Sequence, residues 1–139
     1  GHLLTIKGGG SGHPYKLGDA IDEDFFLQMN GPEVFKHAVR SMANVGRDLM
    51  AANGLTRDDI DLFIPHQANL RIMEAVAKKL QFGPEQVMST VARFGNTSAS
   101  TIGIALVEAR KAGRIPIGGK VLLGAFGGGF TWGAALLQF

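Results

Sequence analysis

An α/β layer fold is what this sequence predicts, on three observations: apolar stripes at helical spacing, short apolar runs between them, and two closing apolar runs joined by three glycines. In chain order the reading is helix, strand, helix, strand, helix, strand, strand. The 139 residues suggest one domain, and no repeat of fixed period is visible. A hydrophobic fraction of 45%, a charged fraction of 19% and a formal net charge of +2 describe a soluble globular protein with enough apolar material for a core. The same figures disfavour a disordered tail or a polybasic nucleic-acid arm.

Residues 1–30 show little periodicity and contain Gly8-Gly9-Gly10-Ser11-Gly12-His13-Pro14, so they are expected to form a connecting arm or loop after a short apolar start at Leu3 to Ile6. The globular unit is expected to occupy 31–139. Asn30-Gly31-Pro32 offers a cap with proline in the first turn, and Asn53-Gly54 a left-handed stop. Between them Val34, Phe35, Ala38, Val39, Met42, Leu49 and Met50 make one stripe, which predicts a helix over 32–52. Thr56 to Asp59 reads as a capped single turn, and Leu62-Phe63-Ile64 as a buried strand stopped by Pro65. Asn69 caps a second helix over 70–80, where Leu70, Met73, Val76, Ala77 and Leu80 share a face. Val87 to Val91 is expected as a second short strand, followed by Gly95-Asn96-Thr97-Ser98 and a third helix over 99–112 that ends at Gly113. Val121 to Phe126 and Thr131 to Phe139, flanking Gly127-Gly128-Gly129, predict an antiparallel hairpin covered on both faces.

Cysteine is absent, which excludes a disulfide framework, a thiolate metal site, a redox pair and a cysteine nucleophile within this chain. No histidine pair or carboxylate set has ligand spacing, so no metal is expected. There is no dinucleotide or phosphate fingerprint and no GxSxG. No run is long enough to span a membrane and no signal peptide is apparent, so a cytoplasmic location is expected. The chain opens with Gly1-His2 and no initiator Met, which reads as a processed product or a piece of something longer.

Chemistry concentrates at three places. His66 follows a strand and precedes a capped helix, where ligands gather in open α/β sheets; His2, His13 and His37 read as solvated or packing residues. Asn96 is flanked by glycine and small residues, and by position alone it reads as a cap or turn residue. A neutral imidazole and a carboxamide share one capability: their N–H groups can converge on a thioester carbonyl and stabilise the enolate left when a neighbouring carboxylate departs as carbon dioxide. The glycine run is either a flexible turn or a place where backbone N–H groups approach a substrate. Lys36, Arg71, Lys78 and Lys79 are ordinarily a solvated face, but side by side their helices would present a basic patch to a phosphate or an acidic protein.

Pro65-His66-Gln67-Ala68-Asn69-Leu70-Arg71, then Gly95-Asn96-Thr97-Ser98-Ala99-Ser100, then Phe126-Gly127-Gly128-Gly129-Phe130-Thr131-Trp132-Gly133, with Gly31-Pro32-Glu33-Val34-Phe35-Lys36 upstream, resemble the C-terminal half of β-ketoacyl-acyl-carrier-protein synthase III. These are thiolase-fold condensing enzymes of type II fatty acid synthesis, and the likeness covers about residues 27–139. It implies a thiolase-like half domain, a mixed sheet covered by helices. It implies that His66 and Asn96 assist decarboxylation of malonyl-acyl-carrier protein and that the backbone N–H of Gly128 is half of an oxyanion hole. It puts Gly31, Phe35, Ala68, Asn69 and Phe126 along a CoA or phosphopantetheine tunnel. Lys36, Gln67, Ala68, Asn69, Leu70, Arg71, Lys78 and Lys79 match the surface that receives the acidic carrier protein. No cofactor is implied beyond the acyl-CoA and malonyl-carrier-protein substrates. The nucleophilic cysteine of the family belongs to an N-terminal half that this chain lacks, so the chain alone is expected to be inactive, to leave an apolar face exposed and to self-associate. An acyltransferase or secondary-metabolite relative, and a non-catalytic half that binds CoA or carrier protein, are the alternative readings.

Overall fold

The computed structural model describes residues 3–139; His2, read above as solvated or packing, lies outside the described residues. Nine elements follow in order: β1 (Leu4–Thr5), β2 (Gln28–Met29), α1 (Gly31–Ala52), β3 (Leu62–Pro65), α2 (Leu70–Leu80), α3 (Val91–Phe94), α4 (Ser100–Lys111), β4 (Lys120–Gly127) and β5 (Thr131–Gln138), with single 3-10 turns between several of them. The main sheet has the order β3-β4-β5, with β3 parallel and β5 antiparallel to β4.

Local chemistry explains the long helices. The Asn30 side chain accepts from Glu33 N–H at 3.3 Å and Pro32 sits in the first turn of α1, while Gly54 takes the left-handed conformation (φ 67°) just past the far end. Asn69 does the same for α2, accepting from Ile72 N–H at 2.9 Å. Alternation along β3 then divides the core. Phe63 faces Ala38, Met42 and Ala43 of α1, Val76 of α2 and Leu122 of β4; Leu62 and Ile64 face Ala105 and Ala109 of α4 with Val121. Both faces of β3 and β4 are covered, as their unbroken apolar runs predict. The edge strand β5 is the exception, with Trp132 53% exposed.

Besides this exposed edge of a hairpin expected to be covered on both faces, two further expectations change. Val87 to Val91 is not a strand: Val87 makes one bridge to Phe63 and Met88 N–H donates to Phe63 O at 2.9 Å, after which the chain leaves the sheet. Side chains take its backbone groups instead: Arg114 donates to Val87 O at 3.3 Å, and Gln67 Oε1 accepts the Thr90 N–H at 2.7 Å, after which α3 begins at once. Within the expected opening arm, β1 and β2 form a small antiparallel ribbon, Leu4 opposite Met29 and Thr5 opposite Gln28. Leu3 and Leu4 pack on the main core. Gly8 is required there, since a Cβ would lie 2.9 Å from the Phe25 ring.

Candidate functional site

The β3–β4 ladder delivers His66 one step beyond the end of its strand, where its N–H donates to Gly124 O at 2.7 Å. The imidazole is half-buried, and Nδ1 lies 2.6 Å from the Thr101 hydroxyl of α4. Nε2 has no protein hydrogen-bond partner among the described residues. Burial holds the His66 pKa below its ordinary value, which keeps the ring neutral near pH 7. Directly behind it Gln67 is wholly buried, its amide donating to Pro65 O at 2.6 Å and Met88 O at 3.2 Å. Every polar atom of Gln67 therefore faces inward. The expectation that it touches a carrier protein is corrected: it braces the turn that carries His66.

Asn96 follows Gly95, whose φ of 66° and ψ of −162° close α3 in a conformation that favours glycine. Its Oδ1 accepts from Ser98 N–H at 2.9 Å, which turns the carboxamide N–H groups outward. The third part is the Gly128–Phe130 turn, where Gly129 (φ 71°) and Phe130 (φ 51°) are both left-handed and the Thr131 hydroxyl donates to Gly128 O at 3.2 Å. Phe126 and Phe130 pack ring to ring at 5.2 Å.

His66, Ala68, Asn69, Asn96, Phe126 and Gly128 line one cavity of about 980 Å³, although they come from separate stretches of chain. Gly31 and Phe35, expected on the same tunnel, do not line it: Gly31 opens α1, and Phe35 is half-buried against the main core. Thr101, Leu4, Leu27, Met29 and Trp132 line it without having been singled out in the sequence. Thr101 had a signal available, because it stands four residues before Ala105 and eight before Ala109 on the buried side of α4. Lys36, Leu70, Arg71, Lys78 and Lys79 are exposed on α1 and α2, which share the main core, and Lys36 pairs with Glu33 at 2.7 Å.

A family model described as 3-oxoacyl-[acyl-carrier-protein (ACP)] synthase III C terminal matches residues 50–139. The chain belongs to this synthase III family. The β-ketoacyl-[acyl-carrier-protein] synthase III of Nitratidesulfovibrio vulgaris (strain DP4) is 60% identical over 139 residues, all of this chain but 42% of the relative. That of Campylobacter fetus subsp. fetus (strain 82-40) is 51% identical over 140 aligned positions, again 42% of the relative. This chain thus spans about two fifths of the length of the curated relatives it matches and corresponds to the C-terminal part of synthase III. Among solved structures, the Aquifex aeolicus 3-oxoacyl-[acyl-carrier-protein] synthase III superposes with a TM-score of 0.81 at 46% identity, covering 85% of this chain and 38% of that one. The Thermus thermophilus synthase III gives 0.81 at 48% identity, covering 89% and 39%. Xanthomonas campestris OleA, at 18% identity and a TM-score of 0.75 over 86% of this chain and 35% of that one, shares the fold. The thiolase-like α/β half expected from the motifs is the fold observed. Among the described residues no helix is long and apolar enough to cross a membrane.

Proposed function

We propose that this chain supplies the carbanion-stabilising part of a 3-oxoacyl-acyl-carrier-protein synthase III, a cytoplasmic acyltransferase that condenses malonyl-acyl-carrier protein with an acyl-CoA starter. One observation carries the reading: His66 and Asn96 line the same cavity, with His66 Nδ1 engaged by Thr101 Oγ1 and Asn96 Oδ1 by Ser98 N–H, which leaves His66 Nε2 and Asn96 Nδ2 for a substrate oxygen. In the proposed step the malonyl thioester oxygen accepts from His66 Nε2–H and Asn96 Nδ2–H. The C–C bond to the carboxylate breaks, carbon dioxide leaves, and the electron pair becomes an enolate whose charge rests on that oxygen. The enolate carbon attacks the carbonyl of an acyl thioester on a cysteine outside this chain, which has none, and the thiolate departs. Gly128 N–H is proposed to hold the oxyanion of that second addition.

Ala68, Asn69 and Phe126 are proposed along the thioester arm. Lys36, Leu70, Arg71, Lys78 and Lys79 are proposed as the exposed surface for the acidic carrier protein. A cysteine-bearing N-terminal portion and a second copy complete the unit, and no cofactor is required. Likeness to the priming β-ketosynthase of the R1128 polyketide pathway, at 35% identity, makes a secondary-metabolite starter the second reading. The test is stepwise assay of the full-length protein that carries this chain. His66→Ala and Asn96→Ala should each lower malonyl decarboxylation about 10²–10³-fold while cysteine acylation persists. Equal loss of both steps would overturn the assignment. Residues 1–139 alone should give no condensation product.

A further inference from the structure

We infer that the Thr101 hydroxyl donates its proton to His66 Nδ1 and thereby fixes the imidazole as its Nε2–H tautomer, which makes Thr101 the positioning residue behind His66. The inference rests on the proposed function for its activity readout only; its structural content is independent.

Thr101 is the second residue of α4 and is buried, and its Oγ1 has two neighbours, His66 Nδ1 at 2.6 Å and Ser98 O at 3.1 Å. A hydroxyl has one proton to give. If it went to Ser98 O, Nδ1 would have to donate to Oγ1, and the nitrogen facing the cavity would be bare. Two observations favour the other arrangement. Ser98 O already accepts the Thr101 backbone N–H at 3.3 Å and does not need the hydroxyl, whereas Nδ1 has no other polar partner among the described residues. The 2.6 Å separation also suits an O–H donor, because N–H donors settle nearer 2.9 Å. The hydroxyl is held in place from two sides: β-branching restricts χ1, and the small Ala105 and Ala109 let α4 lie close to Leu62 and Ile64 of β3. With Nδ1 occupied as an acceptor, the single proton of the neutral ring resides on Nε2, where a developing oxyanion can use it.

The test is the long-range ¹H–¹⁵N spectrum of the full-length protein with labelled histidine, His66 being assigned by its loss in His66→Gln. The wild type should show the Nε2–H pattern. Thr101→Ser should retain it. Thr101→Val, which keeps the shape and removes the proton, should give a mixture of tautomers and malonyl decarboxylation slowed in proportion to the lost Nε2–H fraction, about twofold for an even mixture, with cysteine acylation unchanged. An Nδ1–H pattern in the wild type overturns the inference, whatever the variants do. So does Thr101→Val with an unaltered pattern. Absence of decarboxylation in the wild type would refute the proposed function and leave the tautomer result to stand by itself.

Discussion

The two proposed donors, His66 and Asn96, line one cavity, yet the chain holds them by different means. His66 is held from a distance: a strand ladder fixes its backbone, Thr101 its ring, and Gln67 ties Pro65, Met88 and Thr90 together behind it. Asn96 is exposed and is oriented by one hydrogen bond to a residue two positions away. Precision at a site can therefore come from tertiary packing, where it is coupled to the stability of the core, or from a local turn, where it is nearly free of that coupling. A substitution near His66 is expected to cost folding energy as well as chemistry. A substitution of Asn96 is expected to cost chemistry alone.

The sharpest way to break this contrast is Gln67→Leu. It strands the Thr90 N–H and the Pro65 and Met88 carbonyls in a buried place, at about 1–3 kcal/mol for an unsatisfied group, and denaturant unfolding should show a loss of roughly 2–4 kcal/mol. A loss under ~0.5 kcal/mol would mean that the brace has no energetic role. Next comes Asn69→Ala, which removes the α2 cap beside the same turn and should lower stability by about 1 kcal/mol in the same experiment. A smaller effect concerns pH. Because burial depresses the folded-state pKa of His66, the unfolded chain binds more protons below the ordinary value of 6.5. The His66 contribution is fully present above pH 6.5 and is lost as the pH falls through the depressed folded value, and His66→Gln should flatten that part of the stability profile. Least of all, Asn96→Ala should shift unfolding by no more than ~0.5 kcal/mol, as for an exposed side chain. A larger shift would erase the distinction between the two donors.

The His66 region was readable in the sequence because its signals are local: an apolar run ended by Pro65, a cap at Asn69, and a stripe from Met73 to Leu80. The closing hairpin was readable for the same reason, through its glycines. What was not readable depends on partners far along the chain. The stretch from Val87 to Val91 has the composition of a strand, and side chains distant in sequence hold it out of the sheet: the amide of Gln67, 23 residues before Thr90, and the guanidinium of Arg114, 27 residues after Val87. The ribbon of β1 and β2 joins two-residue strands that carry no period at all, so nothing in residues 3–29 announces the pairing. Thr101 looked like one more small residue on a helix. Its meaning lies in the 35-residue separation from the imidazole it touches. Motif likeness puts Gly31 and Phe35 on the tunnel, whereas Phe35 packs half-buried against the main core and neither residue lines the cavity.

The ribbon has a consequence for how such a protein can diverge. Leu4, Leu27 and Met29 form a wall of the cavity on a ribbon of two cross-strand pairs, anchored where Leu4 packs on the main core, whereas His66 is tied to the β3–β4 ladder and to α4. Bore and chemistry are thus written in different stretches of chain. A lineage can trade side chains along the thin wall, admitting bulkier or slimmer guests, while the sheet and α4 keep the His66 imidazole in place.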